Sequence, residues 1–268
     1  MEIRSLAGVG WDVLADAFNA AFSDYAVAMA MTPSALAHMQ IRRGYLADAP
    51  FGAYDGDQLV GFVLTCRDGD RIYNSGTGVI PGRRRGGLAR ALLEAVVARA
   101  SATSYVLEVL EANTRAIGLY RAAGFAIARR LQSWTFARSG DGSTGRPADR
   151  PGEYAVDLAE IAACADVEPA WQNSLSSLRR ASEPWVMIGD ERGAAVVFPG
   201  SGDLPLLTVA RDARRRGRGT RLLSAAAARA SRPLRILNID ERATGIAAFL
   251  AAAGATPMVR QLEMIRAL

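Results

Sequence analysis

Lysine is missing from the 268 residues, histidine occurs once (His38), and cysteine occurs twice, at Cys66 and Cys164. Two thiols this far apart form neither a disulfide framework nor a zinc ligand set, and the setting expected for them is the cytoplasm. A lone histidine inside a helical stretch, with no candidate partner nearby, gives no ground for a metal centre or a histidine-based triad. No run of about 18 uncharged apolar residues occurs, so no membrane-spanning helix and no membrane partner are expected. Met1-Glu2-Ile3-Arg4 does not lead into the apolar stretch of a signal peptide. The acidic turns Asp55-Gly56-Asp57 and Asp68-Gly69-Asp70 lack the ligand spacing of a calcium loop and read as hairpin turns, so no metal is assigned.

Half of the residues are apolar, enough for a globular chain with a sizeable core. All 32 basic residues are arginine, the formal charge is +5 and the isoelectric point is about 9.7. Arginine paired with abundant alanine reflects compositional bias, so the positive charge alone does not indicate nucleic acid. The arginines also crowd into Arg83–Arg85 and Arg211–Arg221 rather than lining one helix face between aromatics. That distribution suits a compact polyanion, and no nucleic-acid partner is expected.

One of these clusters lies in the stretch from Val79 to Leu93. The run Arg71–Ile80 reads as a strand, and Leu88, Leu92, Leu93 and Val96 carry helical spacing. A strand, a Gly/Arg turn and a helix together present free backbone N–H groups at a helix N-terminus, which attracts phosphate. Gly86 and Gly87 leave room for an anion to approach the backbone, and Ala89 adds little bulk. The turn is neither a Walker A loop nor a Gly-x-Gly-x-x-Gly fingerprint.

Other elements follow in order. A short strand is expected over Glu2–Leu6, and helices over Trp11–Phe22 and from an N-cap at Thr32 to Leu46. Strands are expected over Phe51–Tyr54, Leu59–Arg67 and Ser104–Leu110. A short helix spans Asn113–Gly124, and strands Ala126–Arg130 and Ser133–Ala137 close the sheet.

Arg84-x-x-Gly87-x-Ala89 resembles the Arg/Gln-x-x-Gly-x-Gly/Ala signature of the GNAT superfamily of N-acetyltransferases. Thirty residues on, Asn113-x-x-Ala116-x-x-x-Tyr120-x-x-x-Gly124-Phe125 is similar to a second pattern of that family. The resemblance implies an α/β fold with a mixed, mostly antiparallel sheet flanked by helices, and acetyl-CoA as the acyl donor. Residues Arg84, Arg85, Gly86, Gly87, Leu88, Ala89 and Arg90 would then hold its diphosphate. The backbone at Val79 and Ile80 would polarise the thioester carbonyl, and Asn113, Ala116 and Tyr120 would line the pantetheine arm. Tyr120 would protonate the departing thiolate, its phenol having an ordinary pKa near 10, although at this spacing it could equally pack the helix. Glu108 lies twelve residues before Tyr120, as in acetyltransferases acting on ribosomal-protein N-termini, and is the candidate base; surface exposure is its other reading. Asp24 and Tyr25 lie where the family admits the acceptor amine, with a turn aspartate as the alternative for Asp24.

The second arginine cluster is a copy of the first. Arg214-x-x-Gly217-x-Gly219 follows Arg84 by 130 residues, and Gly254 follows Gly124 by the same number. The repeat implies two tandem GNAT folds. A Gly/Pro/Ser/Asp stretch suggests a linker at 139–152, leaving a catalytic domain at 1–138 and a degenerate one at 153–268. In the second copy Ala243 replaces Asn113, Leu250 replaces Tyr120 and Asn238 replaces Glu108, and a first strand is expected to be lost. Trp171-Gln172-Asn173-Ser174 reads either as a helix packing point or as part of an acceptor cleft. The expected activity is acetyl transfer to the primary amine of a small molecule or peptide. The alternative is a non-catalytic acyl-CoA sensor or scaffold. The oligomeric state stays open, a homodimer included.

Overall fold

Strand β1 (Glu2–Ser5) leads into helix α1 (Trp11–Ala21), whose residues Leu14, Ala15, Phe18 and Ala21 recur at helical spacing and are buried. Helix α2 (Pro33–Arg43) starts where the Thr32 hydroxyl accepts the Ala35 N–H at 3.1 Å. It ends before the expected Leu46 because Gly44 adopts φ +86° and closes the last turn. Three antiparallel strands follow: β2 (Phe51–Asp55), β3 (Gln58–Asp68) and β4 (Arg71–Val79). Helix α3 (Leu88–Arg99), strand β5 (Ser104–Leu110), helix α4 (Thr114–Ala122) and strand β6 (Ala126–Phe136) complete the first half.

The second half runs through α5 (Leu158–Ala162), α6 (Leu175–Arg180), β7 (Val186–Asp190), β8 (Gly193–Val197) and β9 (Leu206–Val209). It then continues through α7 (Arg218–Ala227), β10 (Leu234–Asp240), α8 (Thr244–Ala252) and β11 (Thr256–Ala267). This is a computed structural model, and it describes residues 1–24, 30–137 and 157–268. Tyr25 and the segment 139–152 lie outside the described residues. Among those residues no helix is long and apolar enough to cross a membrane.

Residues divide into two units, and the division does not follow chain order. The first holds Met1–Ala128, Arg180–Ser182 and Leu262–Leu268; the second holds Arg129–Arg179 and Glu183–Gln261. In the first, the strand order is β1-β2-β3-β4-β5 and then the end of β11. Leu262 and Met264 of that strand sit in the same core as Leu92, Leu107 and Tyr120. In the second, the start of β11 neighbours β6, which pairs antiparallel with β10, while β7, β8 and β9 form a separate three-stranded sheet.

The strand beside β5 is therefore the last in the chain. Ala126–Arg130 and Ser133–Ala137 do not close the first sheet, and they form one strand rather than two. The reason lies in the repeat. β6 and β11 start 130 residues apart, and β11 brings Leu262 and Met264 to the core beside β5 where β6 has Gln132 and Trp134.

Candidate active site

The turn between β4 and α3 exposes its backbone, as an anion site requires. Pro81–Arg83 form a short 3₁₀ turn, Arg85 and Gly87 take φ of +69° and +77°, and Gly87 stands at the helix N-cap. The first bond inside α3 runs from the Ala91 N–H to the Gly87 carbonyl. The N–H groups of Leu88, Ala89 and Arg90 thus have no acceptor within the helix, and no acidic residue lies in its first turn. A Cβ added at Gly86 or Gly87 would meet nothing within 4 Å, so the space before the loop is open. The Leu88 side chain is buried in the core, which leaves its backbone as the part that faces a ligand.

Strands β4 and β5 pair in parallel only from Arg71–Ser104 to Asn74–Leu107, then part. At Ser75 the register against β3 shifts by one residue. Beyond it the Ile80 N–H donates to the Val60 carbonyl at 3.0 Å. Ile80 therefore does not supply the polarising donor expected of it. Because N–H direction alternates along a strand, those of Thr77 and Val79 point to the side that β5 has vacated. The donor facing the opening is Val79.

The opening has different chemistry on its two sides. Leu107 and Val109 enter the core beside α3 and α4, so Glu108 between them projects to the other face of the sheet. There it is half-buried and accepts a hydrogen bond from the Tyr73 hydroxyl at 3.2 Å. Burial, and after it the Glu108 carboxylate, push the Tyr73 phenol well above its ordinary range, which keeps it a donor. Tyr120 lies on the side of α3 and α4, buried, its ring edge-on to Phe125 at 5.8 Å between centroids. Asn113 caps α4, its Oδ1 accepting the Ala116 N–H at 3.1 Å, so this side chain orders the helix that carries Tyr120. Ala116 is half-buried against the same core.

Two expected ligand side chains are engaged elsewhere. Arg84 turns away from the helix end: its Nε donates to the Val79 carbonyl at 2.9 Å, and Nη2 to the Ala21 carbonyl at 2.8 Å. Its two terminal nitrogens also hold Asp24, at 2.6 and 2.8 Å. That guanidinium draws the Asp24 carboxyl below its ordinary value. Asp24 is thus a structural partner of the loop, with both carboxylate oxygens occupied, rather than a free anion for an ammonium group. Arg90 pairs with Glu94 at 2.8 Å on the exposed face of α3. Arg85 stands exposed beside the loop. The sequence signal for the brace was the arginine itself, but its partners lie 60 and 63 residues away. Tyr73, which faces Glu108, carried no motif at all.

The second unit repeats the backbone and not the chemistry. Arg215, Gly217 and Gly254 take φ of +61°, +74° and +84°, matching Arg85, Gly87 and Gly124. Arg214 braces its loop as Arg84 does, through the Val209 carbonyl at 2.8 Å and Asp166 at 2.9 Å. Asn238, at the place of Glu108, is buried at φ +56°, a conformation asparagine tolerates. Its Oδ1 accepts from Ser133 Oγ at 3.0 Å and from Gln261 Nε2 at 3.1 Å. Ala243 leaves α8 without a side-chain cap, and Leu250 is buried where Tyr120 stands in the first unit. Trp171 is buried and Asn173 donates to the Leu237 carbonyl at 2.7 Å, tying this short 3₁₀ turn to β10.

Comparison with known proteins places this arrangement. Residues 11–125 match the family described as Acetyltransferase (GNAT) family. A tandem GNAT protein from the clavulanic acid biosynthesis pathway superposes with a TM-score of 0.70 at 16% identity, covering 99% of this chain and 98% of its own. A GCN5-related N-acetyltransferase from Sphaerobacter thermophilus gives 0.69 at 16% identity, covering 99% and 95%. A Pyrococcus horikoshii structure gives 0.72 at 13% identity, covering 100% and 89%. At these identities the likeness is one of fold: two GNAT folds in tandem. No curated protein matches the chain.

Proposed function

Because residues 11–125 match the acetyltransferase (GNAT) family, we propose that the first unit moves an acetyl group from acetyl-CoA to a primary amine. The observation that carries this reading is the parting of β4 from β5 beside a bare helix N-terminus, with Glu108 and Tyr120 on opposite sides of the gap.

The N–H groups of Leu88, Ala89 and Arg90 fit a diphosphate, and the open space before Gly86 and Gly87 admits it. The unpaired edge of β4 offers hydrogen bonds to an extended amide chain, as an added strand would. Val79 N–H is placed to stabilise charge on a thioester carbonyl. Glu108, held by Tyr73, takes the proton from the ammonium, directly or through water, so that the amine nitrogen can attack the carbonyl carbon. Tyr120 gives its proton to the sulfur as the carbon–sulfur bond breaks. The second unit lacks this acid and this base, and the chemistry belongs to the first.

Acetyl-CoA turnover against a panel of peptide N-termini, polyamines, amino acids and other small amines tests the proposal. Acetylation of at least one amine by the wild type, lost in Tyr120→Phe, supports it. Acetyl-CoA binding without transfer to any amine would favour a non-catalytic sensor.

A further inference from the structure

Three aromatic rings fill one face of the first unit, and two of their three counterparts in the second are alanines. Phe18, Phe22 and Phe62 pack with ring centroids 4.7, 5.9 and 6.3 Å apart. Gly76 makes room beneath them: a Cβ there would lie 3.7 Å from Phe18 and 3.8 Å from Phe62. In the second unit Leu206 follows Gly76 by 130 residues. Ala194 pairs with Thr208 as Phe62 pairs with Gly78, so the sheet register puts alanine at the place of Phe62. The arginine braces align the helices: Arg214 Nη2 reaches the Cys164 carbonyl as Arg84 Nη2 reaches that of Ala21. Counting back and forward from that point, Ile161 takes the place of Phe18 and Ala165 that of Phe22.

Leu206, bulkier than Gly76, takes up part of the difference. A cavity of about 360 Å³ lies between α5, α6 and β9, lined by Ala159, Ala162, Ala165, Leu175, Leu178 and Leu206 among others. Among the described residues Asn173 is the one polar residue on its wall, and its amide N–H is committed to the Leu237 carbonyl. The cavity is half open to solvent. It lies within the range of small-molecule sites, about 300–1,000 Å³.

We propose that this cavity is a binding site for a neutral, mainly hydrocarbon small molecule of about two-ring size, and that the second unit serves as a ligand-binding module. Among the described residues these walls offer a charged ligand no counter-charge. The site is independent of acetyl transfer in the first unit.

Titration of the full chain with the neutral fluorophore N-phenyl-1-naphthylamine tests the assignment, alongside Ala162→Phe and Ala159→Leu, which fill the space. Expected is a fluorescence rise that saturates at one equivalent, is unaffected by acetyl-CoA, and weakens by about tenfold or more in both variants, a difference of roughly 1.4 kcal/mol. Should Ala162→Phe fail to melt cooperatively, Ala159→Leu decides alone. A signal that never saturates, that acetyl-CoA displaces, or that folded variants retain at full strength overturns the proposal.

Discussion

Arg84 grips Asp24 with two nitrogens while holding the carbonyls of Ala21 and Val79, so one guanidinium fastens the end of α1 to the loop that starts α3. Such a fork has no lysine equivalent. Asp24→Asn and Arg84→Lys should each raise KM for acetyl-CoA severalfold with little change in kcat, since neither side chain reaches the reacting atoms. Because the Asp24 pKa is lowered by Arg84, the brace is complete above about pH 4 and is lost as pH falls through the lowered value. Melting curves should therefore separate Asp24→Asn from the wild type at pH 7, and the gap should narrow as pH falls to 3. Equal separation at both pH values would remove the ion pair as the cause.

Replacing Tyr120 by phenylalanine keeps the ring that packs on Phe125 and removes only the hydroxyl. Turnover should drop by about 10²-fold, the usual scale of one acid–base group, while calorimetric affinity for acetyl-CoA stays near the wild-type value. Unchanged kcat would leave Tyr120 as a packing residue.

The Tyr73–Glu108 bond ties the base to a donor that stays protonated, because the Tyr73 pKa lies well above its ordinary value. Glu108 works as a carboxylate, so the rate should fall on the acid side of the profile, and Glu108→Gln should lose about 10²-fold or more in kcat. Tyr73→Phe removes a hydrogen bond that favours the ionised form. Its acid limb should move to higher pH. Movement to lower pH would mean that the two groups do not act together.

Much of this was legible in the sequence, and the exceptions share one cause. Strand, loop and helix from Arg71 to Arg99 follow from local pattern, as does the 130-residue repeat, because both depend on neighbours in the chain. Which strand borders β5 is a choice between two segments at equivalent places in the repeat, and it is decided by side chains that meet only in the fold, Leu262 and Met264 of β11. Arg84 and Asp24 were each singled out, but as two separate ligand contacts rather than as one brace. Ile80 was one residue out of phase, since a strand donor's direction depends on its register with β3.

Loop geometry gives a test that distinguishes the two copies. At Gly86 the space is open, whereas at the second loop Arg221 Nη1 lies 3.3 Å from where a Cβ on Gly217 would stand, and Arg218 is paired with Asp190 at 2.6 Å. Gly86→Glu should weaken acetyl-CoA binding by roughly tenfold, as one like charge at about 4 Å implies. Arg216→Glu, at the corresponding place, should not. Wild-type calorimetry should return one equivalent of acetyl-CoA, and two would show that the second loop also binds.

The end of β11 belongs to the core of the first unit, although more than 150 residues of chain separate it from β5. Leu262 and Met264 are buried there, the Leu268 N–H donates to the Thr103 carbonyl at 3.1 Å, and Arg266 holds the Ala123 carbonyl at 2.6 Å, at the end of the helix that carries Tyr120. Met264→Ala should cost about 2–5 kcal/mol of stability. A chain cut after Gln261 should lose acetyl-CoA binding although every residue of the diphosphate loop is intact, because β5 would be left as an open edge and α4 unanchored. Adding residues 256–268 back as a peptide should restore part of the affinity if the defect is the missing strand. A truncated chain that binds and turns over like the wild type would show that the first unit does not need the strand.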